Sequence, residues 1–350
     1  MLTLKQALLG SDADPSPFII AEMSGNHNAS LDKALAIVDA AAATGADALK
    51  IQTFTADSMT LDLDEGEFSI RDPNSLWAGK RLYDLYKVAQ TPADWHKPIF
   101  DRAKEKGVLC FSTPFSEDAV DLLESLDAPA YKIASFELID LPLVRYVAST
   151  KKPMIMSTGM ATELEIAEAV DAARGAGCET LTLLQCTSSY PATPENTNLR
   201  TMPVMGQMFG CNFGLSDHTM GTGVAVAATA LGASVIEKHF IIDRSEEGVD
   251  STFSLEPDEF SALVVETERA SQSMGEVRFG PTKSEEAGSR KRRSIYVCED
   301  MKAGEVFTEK NIRRIRPGMG LPPKYYDLVL GRRATSDLRI GTPVTWDIVG

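Results

Sequence analysis

Histidine is scarce in this chain of 350 residues, with four in all, and there are three tryptophans and five cysteines. The cysteines (Cys110, Cys178, Cys186, Cys211 and Cys298) are odd in number and contain no CxxC pair. That argues against a disulfide framework or a zinc knuckle, and for a reducing compartment. No apolar run approaches the roughly 18 residues that a membrane span needs. The opening stretch MLTLKQALLGSDADPSPF lacks a basic segment followed by an uninterrupted apolar run, so no secretory signal is expected. Together these absences predict a cytoplasmic protein with no membrane partner. Basic charge is in deficit too: 35 Lys+Arg stand against 50 Asp+Glu, a net of −15. Nucleic acid is not an expected partner, because phosphate backbones need a basic surface.

The deficit is uneven. From Arg290 to Gly350 there are 13 basic and 7 acidic residues, a net of +6, which leaves −21 on the remainder. The excess is either a solvated surface or the mark of a cationic small domain that docks on an acidic body near an anionic ligand.

What the sequence does have is strand–helix alternation. Short apolar runs fall at Phe18–Met23, Ala48–Phe54, Val108–Phe115, Ala130–Ser135, Pro153–Gly159, Thr180–Tyr190, Asn212–His218 and Val235–Phe240. Between them lie stretches with apolar residues three and four apart, the helical spacing. These are Leu31–Thr44, Ala93–Lys106, Glu117–Leu126, Leu141–Thr150, Thr162–Ala176, Gly223–Leu231 and Pro257–Met274. Ser30 and Gly45 bracket the first as cap and stop, and Gly107 ends the second. Eight such units in about 275 residues match a (β/α)8 TIM barrel. An open doubly wound sheet competes, but it would gather its ligand groups on a few strands near one switch point. The segment Thr55–Thr91 is too long for an ordinary connection, and Met59, Phe68, Trp77, Tyr83 and Tyr86 predict an ordered excursion over the barrel mouth. The expected organisation is a barrel over 1–275, a polar linker over 276–289 and a small β-rich domain over 290–350.

The strand ends carry the chemistry. Glu22 and His27, Lys50 and Gln52, Thr113, Lys132 and Ser135, Ser157, Ser188 and Tyr190, Ser216 and His218, and Lys238 and His239 all stand at or just past C-terminal ends. In a closed barrel those ends share the face where barrel enzymes keep their reactive groups. Lys50 in ALKIQTF and Lys132 in AYKIAS are flanked by apolar residues and costly to bury unpaired. They are either a structural ion pair or point charges for a phosphate or carboxylate ligand, and a Schiff-base lysine remains open. With the hydroxyls of Thr113, Ser135, Ser157, Ser188 and Ser216 they suggest a small phosphorylated ligand. His218 and His239, on the seventh and eighth strands, form a candidate metal pair suited to a first-row divalent ion with positions left for substrate. No third protein ligand is evident, which disfavours a closed structural zinc site.

The segments IIAEMSGNHN, LKIQTF, FSTPF, YKIASFE, MSTGMAT, CTSSYP, GLSDHT and IEKHF, with FSLEP after them, resemble the sialic acid synthase family. Its members condense phosphoenolpyruvate with an N-acetylated amino sugar. RRSIYVCEDMKAGEVFTEKNIRRIRPGMGL looks like the family's antifreeze-like (SAF) domain, so the resemblance runs from Pro17 to Gly350. AEMSGNHN, LYDLYKVAQTPADWHKPIF, RSEEGVDSTFSLEP and RPGMGLPPKYYDLVLGR are similar to the pseudaminic acid synthase branch, whose acceptor is 2,4-diacetamido-2,4,6-trideoxy-L-altrose. Ser188 stands where the sialic acid branch has asparagine. The resemblance implies that Thr113, Lys132, Ser135, Ser157, Ser188 and Ser216 bind phosphoenolpyruvate, with Lys50 and Gln52 near its carboxylate and the forming bond. It further implies Glu22 as acid/base, Tyr190 and Asp250 on the acceptor side, and His218 and His239 on Mn, Co or Mg. Arg316 would come from the C-terminal domain of a partner subunit in a domain-swapped homodimer.

Overall fold

In the computed structural model, residues 16–72, 77–246 and 248–350 are described. Residues 1–15, most of the opening stretch in which no secretory signal is expected, lie outside them. Eight strands pair in parallel and in sequence order, the first closing on the last. They are β1 (Phe18–Glu22), β2 (Ala48–Thr53), β3 (Leu109–Pro114), β4 (Tyr131–Ile133), β5 (Met154–Ser157), β6 (Leu181–Cys186), β7 (Asn212–Asp217) and β8 (Val235–His239). Closure excludes the open-sheet alternative: β1 meets β8 from Phe18↔Val235 to Glu22↔His239.

Side chains alternate across each strand, and the inward row changes character along its length. At the base Phe18, Ile20, Ala48, Phe111, Ala130, Ile155, Leu184 and Val235 pack into one apolar plug. Two residues further on, the same rows carry Glu22, Lys50, Thr113, Lys132, Ser157, Cys186 and Glu237, all buried. The outward rows pack against the helices in two larger clusters, one around Ile37, Leu49, Ile99 and Phe260 and one around Tyr131, Val144, Met156 and Leu183.

Local chemistry places the helices. Ser30 accepts from the Lys33 amide at the start of Leu31–Ala43. Thr162 and Glu165 form a reciprocal capping box on Glu163–Gly175, a contribution of about 1 kcal/mol. Two features differ from expectation. The sixth strand stops at Cys186, so residues 187–190 leave the sheet and curl over the mouth. After it comes a helix, Thr201–Phe209, that apolar spacing did not disclose. It contains Pro203 and Gly206, poor helix formers. The glycine is required: a Cβ there would sit 2.3 Å from the Phe213 ring.

The chain divides into two compact units, 1–275 and 276–350. In the second, β9 (Ser294–Val297) and β10 (Ile312–Ile315) run antiparallel, and Ile295, Val297, Phe307, Ile312, Val329 and Val344 form its core. Its α-helices are single turns, Lys283–Glu286 and Tyr326–Val329. Among the described residues no helix is long and apolar enough to cross a membrane.

Candidate active site

Above the apolar plug the inward side chains form one ionic network. Lys50 Nζ lies 2.7 Å from Glu22 Oε2 and 3.7 Å from Glu237 Oε1, and donates to Thr113 Oγ1 at 3.1 Å. Lys132 Nζ approaches Glu237 Oε1 at 3.4 Å, and the Ser216 hydroxyl donates to the same oxygen at 3.2 Å. Gln52 donates to Glu22 Oε1 at 2.9 Å and to Ser24 Oγ at 3.0 Å. Burial raises the Glu22 pKa, opposed by Lys50. Burial would do the same to Glu237, but Lys132 and Lys50 outweigh it and hold that carboxyl below its usual range. Lys50 is pushed up, because Glu22 and Glu237 overcome its desolvation. Lys132 is pushed down by burial, with Glu237 only partly compensating. Of the two ammonium groups Lys132 is therefore less fully paired, and the one better placed to gain from an incoming anion.

The hydroxyl side is built around a glycine. The Gly159 amide donates to Ser135 Oγ at 3.2 Å. A Cβ on Gly159 would lie 2.4 Å from Ser188 Oγ and 2.9 Å from Ser135 Oγ, so only glycine leaves both hydroxyls in place. Ser157 Oγ is buried and has no hydrogen-bond partner. Nor has Glu137 Oε2, and burial raises the Glu137 carboxyl to about 7. Cys186 completes this side. Burial alone would raise its thiol, but His218, Ser135 and Lys132 bring it down to about 7.

Nearer the rim stand the rings. His218 and His239 have centroids 5.3 Å apart, and Tyr190 and Phe253 pack against them. His218 Nδ1 donates to the Thr187 carbonyl at 3.0 Å, and although burial opposes it, Cys186, that carbonyl and Glu237 raise the His218 pKa. His239 Nδ1 is buried without a hydrogen bond, 4.0 Å from Asp250 Oδ2. Burial and neighbouring cations hold His239 well below the usual histidine range, in the neutral form a metal requires. His239 is thus ready to hold a divalent ion, and His218 joins it once the metal displaces its more tightly held proton. Among the described residues no group of three or more His, Cys, Asp or Glu is gathered for a metal, so other positions would fall to substrate or water. The long excursion reaches this rim: Trp77 lies 6.1 Å from the Tyr190 ring and donates to the Val249 carbonyl.

Of the residues singled out in the sequence, Glu22, Lys50, Gln52, Thr113, Lys132 and Ser216 join the ionic network or its edge. Ser135, Ser157 and Ser188 lie on the hydroxyl side, and Tyr190, His218, His239 and Asp250 are at the rim. Arg316 is an exposed residue of the second unit, directly after β10. Lys238 departs from expectation, because it faces outward and pairs with Asp217. Sequence reading missed Glu237, the carboxylate that both lysines share. Period-two alternation would have found it, since Glu237 and His239 must share a face. It also missed Glu137, which lies beyond the fourth strand and has no such signal.

The NeuB family matches residues 37–279 and the SAF domain residues 292–349. The pseudaminic acid synthase of Campylobacter jejuni is 44% identical over 330 residues, covering 94% of this chain and 96% of that protein. The pseudaminic acid synthase of Helicobacter pylori is 43% identical, covering 95% and 97%. The crystal structure of the N-acetylneuraminic acid (sialic acid) synthetase of Leptospira borgpetersenii superposes with a TM-score of 0.70 at 30% identity, over 78% of this chain and 90% of that one.

Proposed function

The chain belongs to the NeuB family, and on that premise we propose that it is a cytoplasmic pseudaminic acid synthase. In this reading it is a transferase that joins phosphoenolpyruvate, 2,4-diacetamido-2,4,6-trideoxy-L-altrose and water into pseudaminic acid and phosphate. The observation that carries the chemistry is the pair of buried lysines sharing Glu237 beside a set of hydroxyls. Such a cluster, closed off below by apolar residues, suits a small dianion.

C3 of phosphoenolpyruvate attacks the aldehyde carbon of the open-chain sugar, whose oxygen takes up a proton to become a hydroxyl. C2 gains oxocarbenium character, water adds there and loses a proton, and phosphate leaves by C–O cleavage. Lys132 and Lys50 hold the phosphate and carboxylate as charge shifts, with Thr113, Ser135, Ser157, Ser188 and Ser216 as fixed dipoles. Gln52 orients Glu22 through its 2.9 Å hydrogen bond. Glu22, raised by burial, takes the proton of the incoming water. Tyr190 and Asp250 face the acceptor. When bound on His218 and His239, a divalent ion such as Mn, Co or Mg supplies Lewis acidity to an aldehyde oxygen.

Phosphate release measured against a panel of diacetamido and mono-N-acetyl hexoses tests the reading. Turnover with the L-altro diacetamido sugar alone is expected. Preference for N-acetylmannosamine, or for the precursor of legionaminic acid, would replace the acceptor and keep the chemistry. A substrate adduct trapped by borohydride on Lys132 or Lys50 would instead mean a Schiff-base aldolase.

We also propose that Arg316 serves the partner's site in a domain-swapped dimer. Mixed Arg316→Ala and Lys132→Ala subunits, each inactive alone, should then recover about a quarter of wild-type sites after full exchange. Continued inactivity would place the arginine's role within its own chain or remove it.

A further inference from the structure

A second buried ionic cluster lies across the sheet from Glu237 and His239, and the chemistry above does not use it. Asp217 on β7 and Lys238 on β8 are direct register partners. Both turn away from the barrel interior into a layer where their neighbours Leu215 and Ile236 are apolar, and both side chains are 0% exposed. Lys238 Nζ lies 2.6 Å from Asp217 Oδ2 and donates to the Thr219 carbonyl at 2.5 Å. Asp217 Oδ1 accepts from the Thr219 amide at 2.9 Å and from its hydroxyl at 2.7 Å. The residues on either side of His218 are thereby tied to the residue just before His239.

Stability alone accounts poorly for this arrangement. Desolvating two ions offsets most of their attraction, and apolar side chains of similar volume often serve a fold as well. Apolar packing cannot supply direction: two polar contacts from Thr219 to Asp217 shape the turn after His218, and two from Lys238 fix that turn against the last residues of β8. The His239 ring needs such support, because its Nδ1 has no hydrogen bond to orient it, whereas His218 is held by Thr187.

We infer that Asp217 and Lys238 are positioning residues, a buried brace that sets the spacing and orientation of His218 and His239 as a cation-holding pair. The inference rests on the metal reading above, and its test separates the two. Mn²⁺ alone is titrated by electron paramagnetic resonance into the full-length, substrate-free protein. The variants are His239→Ala, Asp217→Asn and the apolar double replacement Asp217→Leu with Lys238→Met. Wild type should bind and His239→Ala should not. The double variant should keep the wild-type circular dichroism and the wild-type KM for phosphoenolpyruvate at saturating Mn²⁺. Its Mn²⁺ affinity should fall about tenfold or more, the usual cost of losing a group that orients a metal ligand. Asp217→Asn, which retains an oxygen for Thr219, should show a smaller loss of the same sign and decides the matter if the double variant does not fold. Unchanged Mn²⁺ affinity in the folded variants, with binding lost in His239→Ala, overturns the brace and leaves the metal reading standing. Failure of wild type to bind Mn²⁺ overturns both.

Discussion

Two buried ionic clusters sit back to back on β7 and β8, and they differ in how completely they are satisfied. The outer one is closed: both Asp217 oxygens and the Lys238 ammonium have partners within 2.9 Å. In the inner one, two lysines share Glu237 Oε1 at 3.4 and 3.7 Å. Around it Glu237 Oε2, Ser157 Oγ, Glu137 Oε2 and His239 Nδ1 are buried without hydrogen bonds. A fold that needed only stability would not leave so many polar atoms unpaired on one face. On the proposed reading, completeness of pairing distinguishes charges that brace the framework from those kept for a ligand.

That contrast can be broken by experiment. The largest effect should come from chelation, which is expected to abolish turnover until Mn, Co or Mg is returned; full activity in exhaustively metal-free buffer would contradict it. Next, charge removal should separate the clusters by readout. Lys132→Ala should lower kcat/KM for phosphoenolpyruvate by about 10³-fold, about 4 kcal/mol of transition-state stabilisation, with a raised KM and little change in the urea midpoint. Asp217→Ala should instead cost about 3–5 kcal/mol of stability by stranding Lys238. If the two variants exchanged these phenotypes, the distinction would be lost.

A smaller effect concerns pH. The Glu137 carboxyl stands at about 7 in the fold against an ordinary 4.5. Its protonated form is thus favoured by folding, a contribution complete below pH 4.5 and lost as pH rises through 7. Glu137→Gln should remove about 2 kcal/mol of that slope, read as the difference in unfolding midpoint between pH 4.5 and 8. Parallel pH profiles would mean the carboxyl is solvated. The smallest effect is steric: Gly159→Ala should displace Ser188 or Ser135 and reduce kcat/KM about tenfold, with stability nearly unchanged.

The barrel was legible because eight apolar runs recur with polar groups at the same end, a pattern that only closure makes coherent. The ionic network was half legible. Lys50 and Lys132 stand out in apolar surroundings, but Glu237 lies in IEKHF between showier neighbours. Composition alone points to Lys238 at the mouth, where strict alternation gives the place to Glu237. The helix Thr201–Phe209 stayed hidden because Pro203 and Gly206 weaken its signal, and its existence is dictated by the crossover between two parallel strands. Glu137 and the Gly159 contacts are products of tertiary approach, and no local pattern encodes them.

The apolar plug under the lysines has a kinetic corollary. Phe18, Ile20, Phe111 and Leu184 seal the barrel base, so the proposed reactants and products share a single doorway. Glu237 is two residues nearer that floor than His239 on the same strand. In the proposed reaction, phosphoenolpyruvate held at Glu237's depth would enter before a sugar at the histidines, and its phosphate would queue behind the sugar product on the way out. If the proposed reaction holds, that depth predicts ordered traffic, with phosphoenolpyruvate first in and phosphate last to leave, which product-inhibition patterns would check.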